Sequence, residues 1–413
     1  MNKQYLYYIG GVAAAVVVSA ILAWFIFTGG GAAAPTQSGG TFGSFDNNAV
    51  TAGNNGGGTN TTDNINQTTG TQTSQQKIFK ISDGPVAGAT FVQTFHPTTT
   101  LARFVMADNG HAFDLVLDSQ GAVPRALSNT TIPGAVSALW VERGAGAVLQ
   151  YLGATSPKTV YLGFVASSTA KTPATRLQFY PDGIVGLAAS PDGSQVAYLL
   201  RTAAGTNGFV AKTDGTGGKL LFSLPLAQVQ LRWPSPGTLL AYSNAAAGVP
   251  GIAFAVDAKT GAVTPLVYAP GLTATADLNF SHVLYQTVQP GATVRTTYSH
   301  DVAAGTDRAL SFDPFPEQCV QGPLAASVLY CAAPLTYVAP NYLDLWHQGA
   351  ASTPDSLFSF NLAAGTSTIL ASPGGSEGGK PTDMLTIAVS PDAHYLLFVS
   401  KYDRSLWGVR LRP

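Results

Sequence analysis

The feature that most limits how this chain can fold is an apolar strand, a tight turn and a second apolar strand, recurring at a fixed interval. Ser190-Pro191-Asp192-Gly193 is followed by Val196-Ala197-Tyr198, and Ser390-Pro391-Asp392-Ala393 by Leu396-Leu397-Phe398. Proline presets φ for such a turn, and Asp with Gly accepts its less common backbone angles. Degenerate copies keep the spacing: Trp140 leads to Gly144 and Leu149, and Trp233 to Gly237 and Tyr242, as Ala189 leads to Gly193 and Tyr198. The large residue of each second strand gives the series Phe104, Leu149, Tyr198, Tyr242, Tyr285, Tyr330 and Phe398, at intervals of 45, 49, 44, 43, 45 and 68 residues.

A strand-patterned period of this length signals a β-propeller, and seven anchors imply seven blades. A second element recurs downstream: Phe254, Asp257 and Gly261; Tyr298, Asp301 and Gly305; Phe358, Asn361 and Gly365. It reads as the hairpin between the third and fourth strands of a blade. The last blade offers only three strands, around Thr386 to Val389, Tyr395 to Ser400 and Leu406 to Leu411. Lys77 to Ser82, with apolar Ile78 and Ile81 about Phe79, is expected to supply the fourth and close the ring, which removes an exposed edge. The fold class is therefore all-β: a seven-bladed propeller of four-stranded antiparallel blades over residues 77–413. Gly (45) and Pro (26) are abundant and charged residues make up only 10% of the chain, as many short strands and tight turns require.

Two segments precede the repeats. Tyr5 to Phe27 holds 23 uncharged residues, which as a helix span roughly 34 Å, enough to cross a bilayer. Tyr5, Tyr7, Tyr8 and Trp24 stand at interfacial positions, and Lys3 places the N-terminus in the cytoplasm. Residues 1–28 thus read as a single-pass anchor to the cell membrane, with everything beyond it extracytoplasmic. The alternative is a cleaved signal peptide ending near Ala32 to Ala34. Residues 29–76, rich in Gly, Thr and Asn with only Asp46 and Asp63 charged, cannot bury enough surface to fold and read as a flexible linker. Its root-mean-square reach is roughly 35–40 Å.

The Ser-Pro-Asp turns at 190 and 390 resemble those of TolB-like and WD40-like bacterial propellers and of the propeller domain in dipeptidyl-peptidase-type enzymes. More narrowly, Ile81 to Gly88, Ser128 to Pro133, the pair Cys319 and Cys331, and Asn341 to Trp346 resemble a group of uncharacterised, membrane-anchored bacterial propellers. This resemblance implies architecture and carries no assigned activity, so it transfers no functional residue.

The remaining residues indicate little chemistry. A net charge of −1 without basic clusters argues against nucleic acid as a partner. The six histidines show no metal-ligand spacing, and neither a cofactor nor a catalytic residue is assigned. Gly374 to Gly378 fits G-x-S-x-G around Ser376, with Asp383 and His394 following in hydrolase order. Its Gly/Ser/Pro surroundings fit an interblade loop and not the strand and helix that a nucleophile elbow requires. Cys319 and Cys331 fall on adjacent antiparallel strands about a turn near Ala325, placed for a disulfide in an oxidising compartment or for two buried thiols. The 68-residue interval contains an insertion with Asp344, Trp346 and His347, a loop for partner contact or a cap whose Trp346 packs on the rim. The reading that follows is a membrane-anchored binding or scaffolding module for a protein or glycan. Its alternatives are a hydrolase- or lyase-type propeller enzyme with a site at the central channel, and an accessory subunit of an envelope complex.

Overall fold

Inward-facing residues alternate along short strands from Ile78 onward, and they build seven separate sheets. The computed structural model describes residues 76–412 apart from 95–97, 120, 155, 166–173, 244–245 and 337. The apolar segment 5–27 and all but the last residue of the linker lie outside the described residues. Among those described, no helix is long and apolar enough to cross a membrane.

The first strand, β1 (Ile78–Lys80), belongs to the last blade. Blade 1 comprises β2 to β5 (Val86–Thr94, Thr99–Met106, Ala112–Val116, Arg125–Ser128), and blade 2 comprises β6 to β9 (Ala135–Val141, Gly146–Leu152, Pro157–Val165, Ala174–Phe179). Blade 3 is β10 to β13 (Ile184–Ala189, Gln195–Thr202, Gly205–Lys212, Lys219–Leu224) and blade 4 is β14 to β17 (Val229–Ser235, Thr238–Ser243, Pro250–Asp257, Val263–Pro270). Blade 5 is β18 to β21 (Thr273–Ala276, His282–Thr287, Thr296–Asp301, Thr306–Ala309) and blade 6 is β22 to β25 (Cys319–Gln321, Val328–Pro334, Asp355–Asn361, Thr366–Ala371). Blade 7 joins β26 to β28 (Met384–Val389, Tyr395–Ser400, Leu406–Arg410) to β1. Each sheet is antiparallel, with its strands in chain order except that β1 forms the outer edge of blade 7, and neighbouring blades touch chiefly through their innermost strands, which therefore surround the axis.

All seven anchors lie on second strands, and four of them face an aromatic residue directly across the third. Phe104 pairs with Phe113, Tyr198 with Phe209, Tyr285 with Tyr298 and Phe398 with Trp407. Their rings stack with centroids 5.2–6.3 Å apart. Such cross-strand pairs add to area burial and fix strand register.

In the turn of blade 3, Ser190 Oγ donates to Asp192 Oδ1 at 2.6 Å and accepts from Gln195 N at 3.0 Å. Gly193 takes φ +73°. Blade 7 repeats the network with Ser390 and Asp392 at 2.5 Å and holds Ala393 at φ +54°. The third-to-fourth-strand hairpins use Asp or Asn with Gly: Asp257 Oδ1 accepts from Thr260 N at 2.7 Å, and Gly261 takes φ +75°.

The ring closes through β1, with Ile78 opposite Val409, Phe79 opposite Gly408 and Lys80 opposite Trp407. Gly408 leaves room for the Phe79 ring, which would lie 2.5 Å from a Cβ at that position. Arg410 lays its guanidinium over the ring at 4.3 Å. The segment from Gly374 to Gly379 packs against β1: Glu377 pairs with Lys77 at 2.7 Å, and a Cβ on Gly378 would meet Ile78 O at 2.7 Å. The closing strand is thus clamped by the connection between blades 6 and 7.

The chain enters the ring beside the turns that join first to second strands. Lys77 O accepts from Arg410 N at 2.8 Å, and the next residue, Leu411, donates from its N to His394 O at 2.8 Å. His394 lies in the first turn of blade 7. The opposite face carries the links between blades and the links between second and third strands, among them the long insertion of blade 6.

Candidate functional site

Residues 335–354 leave β23 at Pro334 and return at Asp355, and they carry the short helix α1 (Tyr342–His347). The insertion packs on the link between second and third strands of blade 4 and on the starts of the first strands of blades 6 and 7. Asp344 Oδ2 accepts from Ala247 N of blade 4 at 3.0 Å, and His347 Nε2 meets Glu317 Oε2, just before β22, at 2.6 Å. Trp346 Nε1 donates to both oxygens of Asp383, just before β26, at 2.9 Å. Beneath it, Phe315 stacks on Tyr342 at 5.2 Å, and the Arg295 guanidinium lies 4.5 Å from the Phe315 ring. Phe315, Val338 and Tyr342 form a small apolar core of their own. The insertion therefore lies along the rim of the channel from blade 4 to blade 7. Arg404 continues that rim, donating to Val86 O at 3.1 Å and to Val136 O at 2.9 Å.

The polar anchor is Asp383, which is 0% exposed. Besides the indole it accepts from Ser352 Oγ at 2.6 Å, and Lys401 Nζ lies 3.5 Å away. Lys401 also donates to Trp346 O at 3.1 Å and Ala351 O at 2.8 Å, with its ammonium 4.3 Å from the Trp346 ring. A second carboxyl, Asp355, sits beside this group and is 3% exposed. Gln318 Nε2 lies 3.4 Å from Asp355 Oδ2 and 3.5 Å from Asp383 Oδ1. Burial pushes Asp355 well above the usual carboxylate range; a hydrogen bond from Met384 N opposes this, and the charge of Asp383 adds to it. On the insertion, Tyr342 is pushed up to about 12, first by burial and then, after a hydrogen bond from Thr353 that lowers it, by the charges of Asp383 and Asp355.

A narrow cleft between α1 and blades 4 and 5 is lined by Leu272, Thr273, Glu317, Leu343, Asp344 and His347, among others. Glu317 Oε1 accepts from Thr273 Oγ1 at 3.0 Å. Burial disfavours its charge, but the His347 hydrogen bond and the positive charges of His347 and Arg232 outweigh that and hold it below its ordinary value. The same hydrogen bond raises His347, against the effect of its burial.

Of the residues singled out from the sequence, Asp344, Trp346 and His347 thus share one helix, and each bonds to the propeller beneath it. Cys319 and Cys331 face each other across β22 and β23 and are joined as a disulfide. Ser376, Asp383 and His394 do not assemble. Asp383 and His394 flank opposite ends of β26, about 20 Å of strand, and His394 pairs with Asp392 at 3.3 Å. Among the described residues, no group of three His, Cys, Asp or Glu could hold a metal ion. Asp355 and Gln318 of blade 6 and Lys401 of blade 7 carry no signal in the sequence, because they come from separate segments and stand in no motif.

These features define a seven-bladed β-propeller with one rim covered by an insertion. Among solved structures, the chain is similar to oligogalacturonate lyase of Vibrio parahaemolyticus (TM-score 0.52, 12% identity, covering 82% of this chain and 95% of that one). It is also similar to hydrazine synthase of Kuenenia stuttgartiensis (0.51, 11%, 79% and 96%), and TolB of Acinetobacter baumannii is a further match (0.43, 12%, 71% and 64%). At these identities the likeness shows the fold alone. No protein-family model and no curated protein sequence matches the chain.

Proposed function

We propose that the protein is a membrane-anchored, extracytoplasmic binding or scaffolding module whose protein partner docks on the face carrying the insertion. One observation carries this reading. The links between second and third strands of four consecutive blades each present an exposed aliphatic or aromatic side chain: Val249, Val294, Leu335 and Tyr402, at 50–62% exposure. An apolar arc of this kind marks interaction surfaces, and it suits a protein better than a glycan because Val and Leu offer no hydrogen bonds. The first described residues, Gln76 and Lys77, lie at the opposite face. The anchor rests on the apolar run from Tyr5 to Phe27. Deleting residues 5–27 should convert alkali-resistant membrane association into soluble protein.

The docking test is proximity labelling from the full-length protein in intact cells. A neighbour recovered with the native chain and lost with L335D/Y402D supports the reading, and equal recovery from both refutes it. A neighbour that also co-purifies stably from membranes would make the protein an accessory subunit of an envelope complex.

A second reading, a propeller enzyme of hydrolase or lyase type, is favoured by the two buried carboxyls under the insertion, Asp383 and Asp355, the latter held well above the usual carboxylate range by burial. Turnover abolished by Asp383→Asn would support it over the binding module.

A further inference from the structure

Asp355 Oδ1 and Gln318 Oε1 are both buried, and neither has a hydrogen-bond partner. While Asp355 is charged both atoms are acceptors and cannot pair, and an uncompensated buried acceptor is costly. One proton changes this. Gln318 Nε2 lies 3.4 Å from Asp355 Oδ2, which sets amide and carboxyl side by side. A hydrogen on Oδ1 can then be donated to Gln318 Oε1 while Oδ2 keeps the bond from Met384 N at 2.9 Å. Both orphaned acceptors thus belong to this one amide–carboxyl pair.

We propose that Asp355 is protonated in the folded protein and donates to Gln318, and that loss of this proton releases the insertion from the channel rim. The connection runs through the backbone. Asp355 is the residue at which the insertion returns to the propeller, and its N donates to Thr382 O at 2.8 Å, one residue before Asp383. The titratable groups facing Asp355 are Asp383 from the start of β26, Lys401 from the loop after β27, and Tyr342 from α1. Once the proton passes to water or buffer base, a second buried negative charge stands beside Asp383, whose carboxylate accepts from Trp346 and Ser352. The strain is relieved when the insertion lifts and both carboxylates are hydrated.

Opening therefore releases one proton at any pH above the ordinary carboxylate value, near 4, and below the closed-state value. The population of the opened insertion rises about tenfold per pH unit across that window. The His347–Glu317 clasp titrates elsewhere: His347 is protonated in both states below about pH 6, and Glu317 is ionised in both above about pH 5. Between those limits the slope belongs to Asp355.

The experiment is hydrogen exchange of amides 338–352 in the full-length protein at pH 5 to 6, corrected for the intrinsic pH dependence of exchange, for the native chain and for Asp355→Asn. Asparagine keeps the shape, donates to Gln318 Oε1 and accepts from Met384 N. Expected is an opening constant that climbs about tenfold per pH unit in the native chain and stays flat in D355N. Infrared spectra at pH 5 to 6 should show a protonated-carboxyl band in the native chain that D355N lacks. A flat native profile, an equal slope in D355N, no such band, or a D355N chain that fails to fold would each overturn the proposal.

Discussion

Removing the Phe79 side chain tests whether the ring is held shut by its N-terminal strand. Phe79 is 3% exposed on a three-residue strand, seated against Gly408, Leu397 and Val399 and covered by Arg410. Phe79→Ala forfeits the burial of an aromatic ring and leaves a cavity beside a glycine that cannot fill it, at about 3–5 kcal/mol. Loss of the guanidinium–ring contact adds roughly 0.5–1 kcal/mol. Against a domain stability of about 5–15 kcal/mol, this removes roughly a quarter or more of the total. Urea unfolding of residues 77–413, followed by intrinsic fluorescence, should therefore show a large drop in midpoint. Tyr402→Ala, on the exposed rim, should stay within about 0.5 kcal/mol of the native chain. A Phe79→Ala shift under about 1 kcal/mol would mean that blade 7 closes without β1, and would refute the reasoning.

Other substitutions probe single devices. Gly193→Ala should destabilise by at least about 1–2 kcal/mol, because φ is +73° there and the added Cβ would sit 2.9 Å from Glu142 N; calorimetry measures it. The Cys319→Ser/Cys331→Ser pair should lower stability by about 3 kcal/mol, the loop-closure value for a separation of 12 residues, and the unfolded, unreduced native chain should show no reactive thiol. Trp346→Phe takes a hydrogen bond from buried Asp383, worth about 2 kcal/mol, so protease cleavage within 338–352 should quicken roughly thirtyfold with little change in global melting. His347→Ala should reduce, without abolishing, the loosening of the insertion as pH rises above about 6.5, the remaining slope being that of Asp355. Because His347 is raised in the closed state, its contribution is complete below its ordinary value and is lost as pH climbs through the raised one.

The repeat was legible because each blade must bury a large residue at the same point of its second strand, so the chain prints its period in Phe104, Tyr198 or Phe398. The closing strand was legible from a count of strands and the alternation of Ile78 and Ile81. The aromatic partners at Phe113, Phe209, Tyr298 and Trp407 left a signal too, 9 to 13 residues after their anchors, but only as a pairing across one hairpin. The Gly-rich run at 374–379 reads as a flexible loop, yet it clamps β1, because glycine serves close packing as well as freedom. Asp355, Asp383, Gln318 and Lys401 were not legible as a group. They meet only because the ring brings the starts of blades 6 and 7 together, and no local spacing records that meeting.

If a partner docks on the insertion face, site-specific photo-crosslinking in intact cells shows it most directly. A photoreactive residue at Leu335 or Tyr402 should capture the same partner, while one at Val123, exposed on the opposite face, should capture none. Capture from Val123 with none from Leu335 and Tyr402 would contradict it.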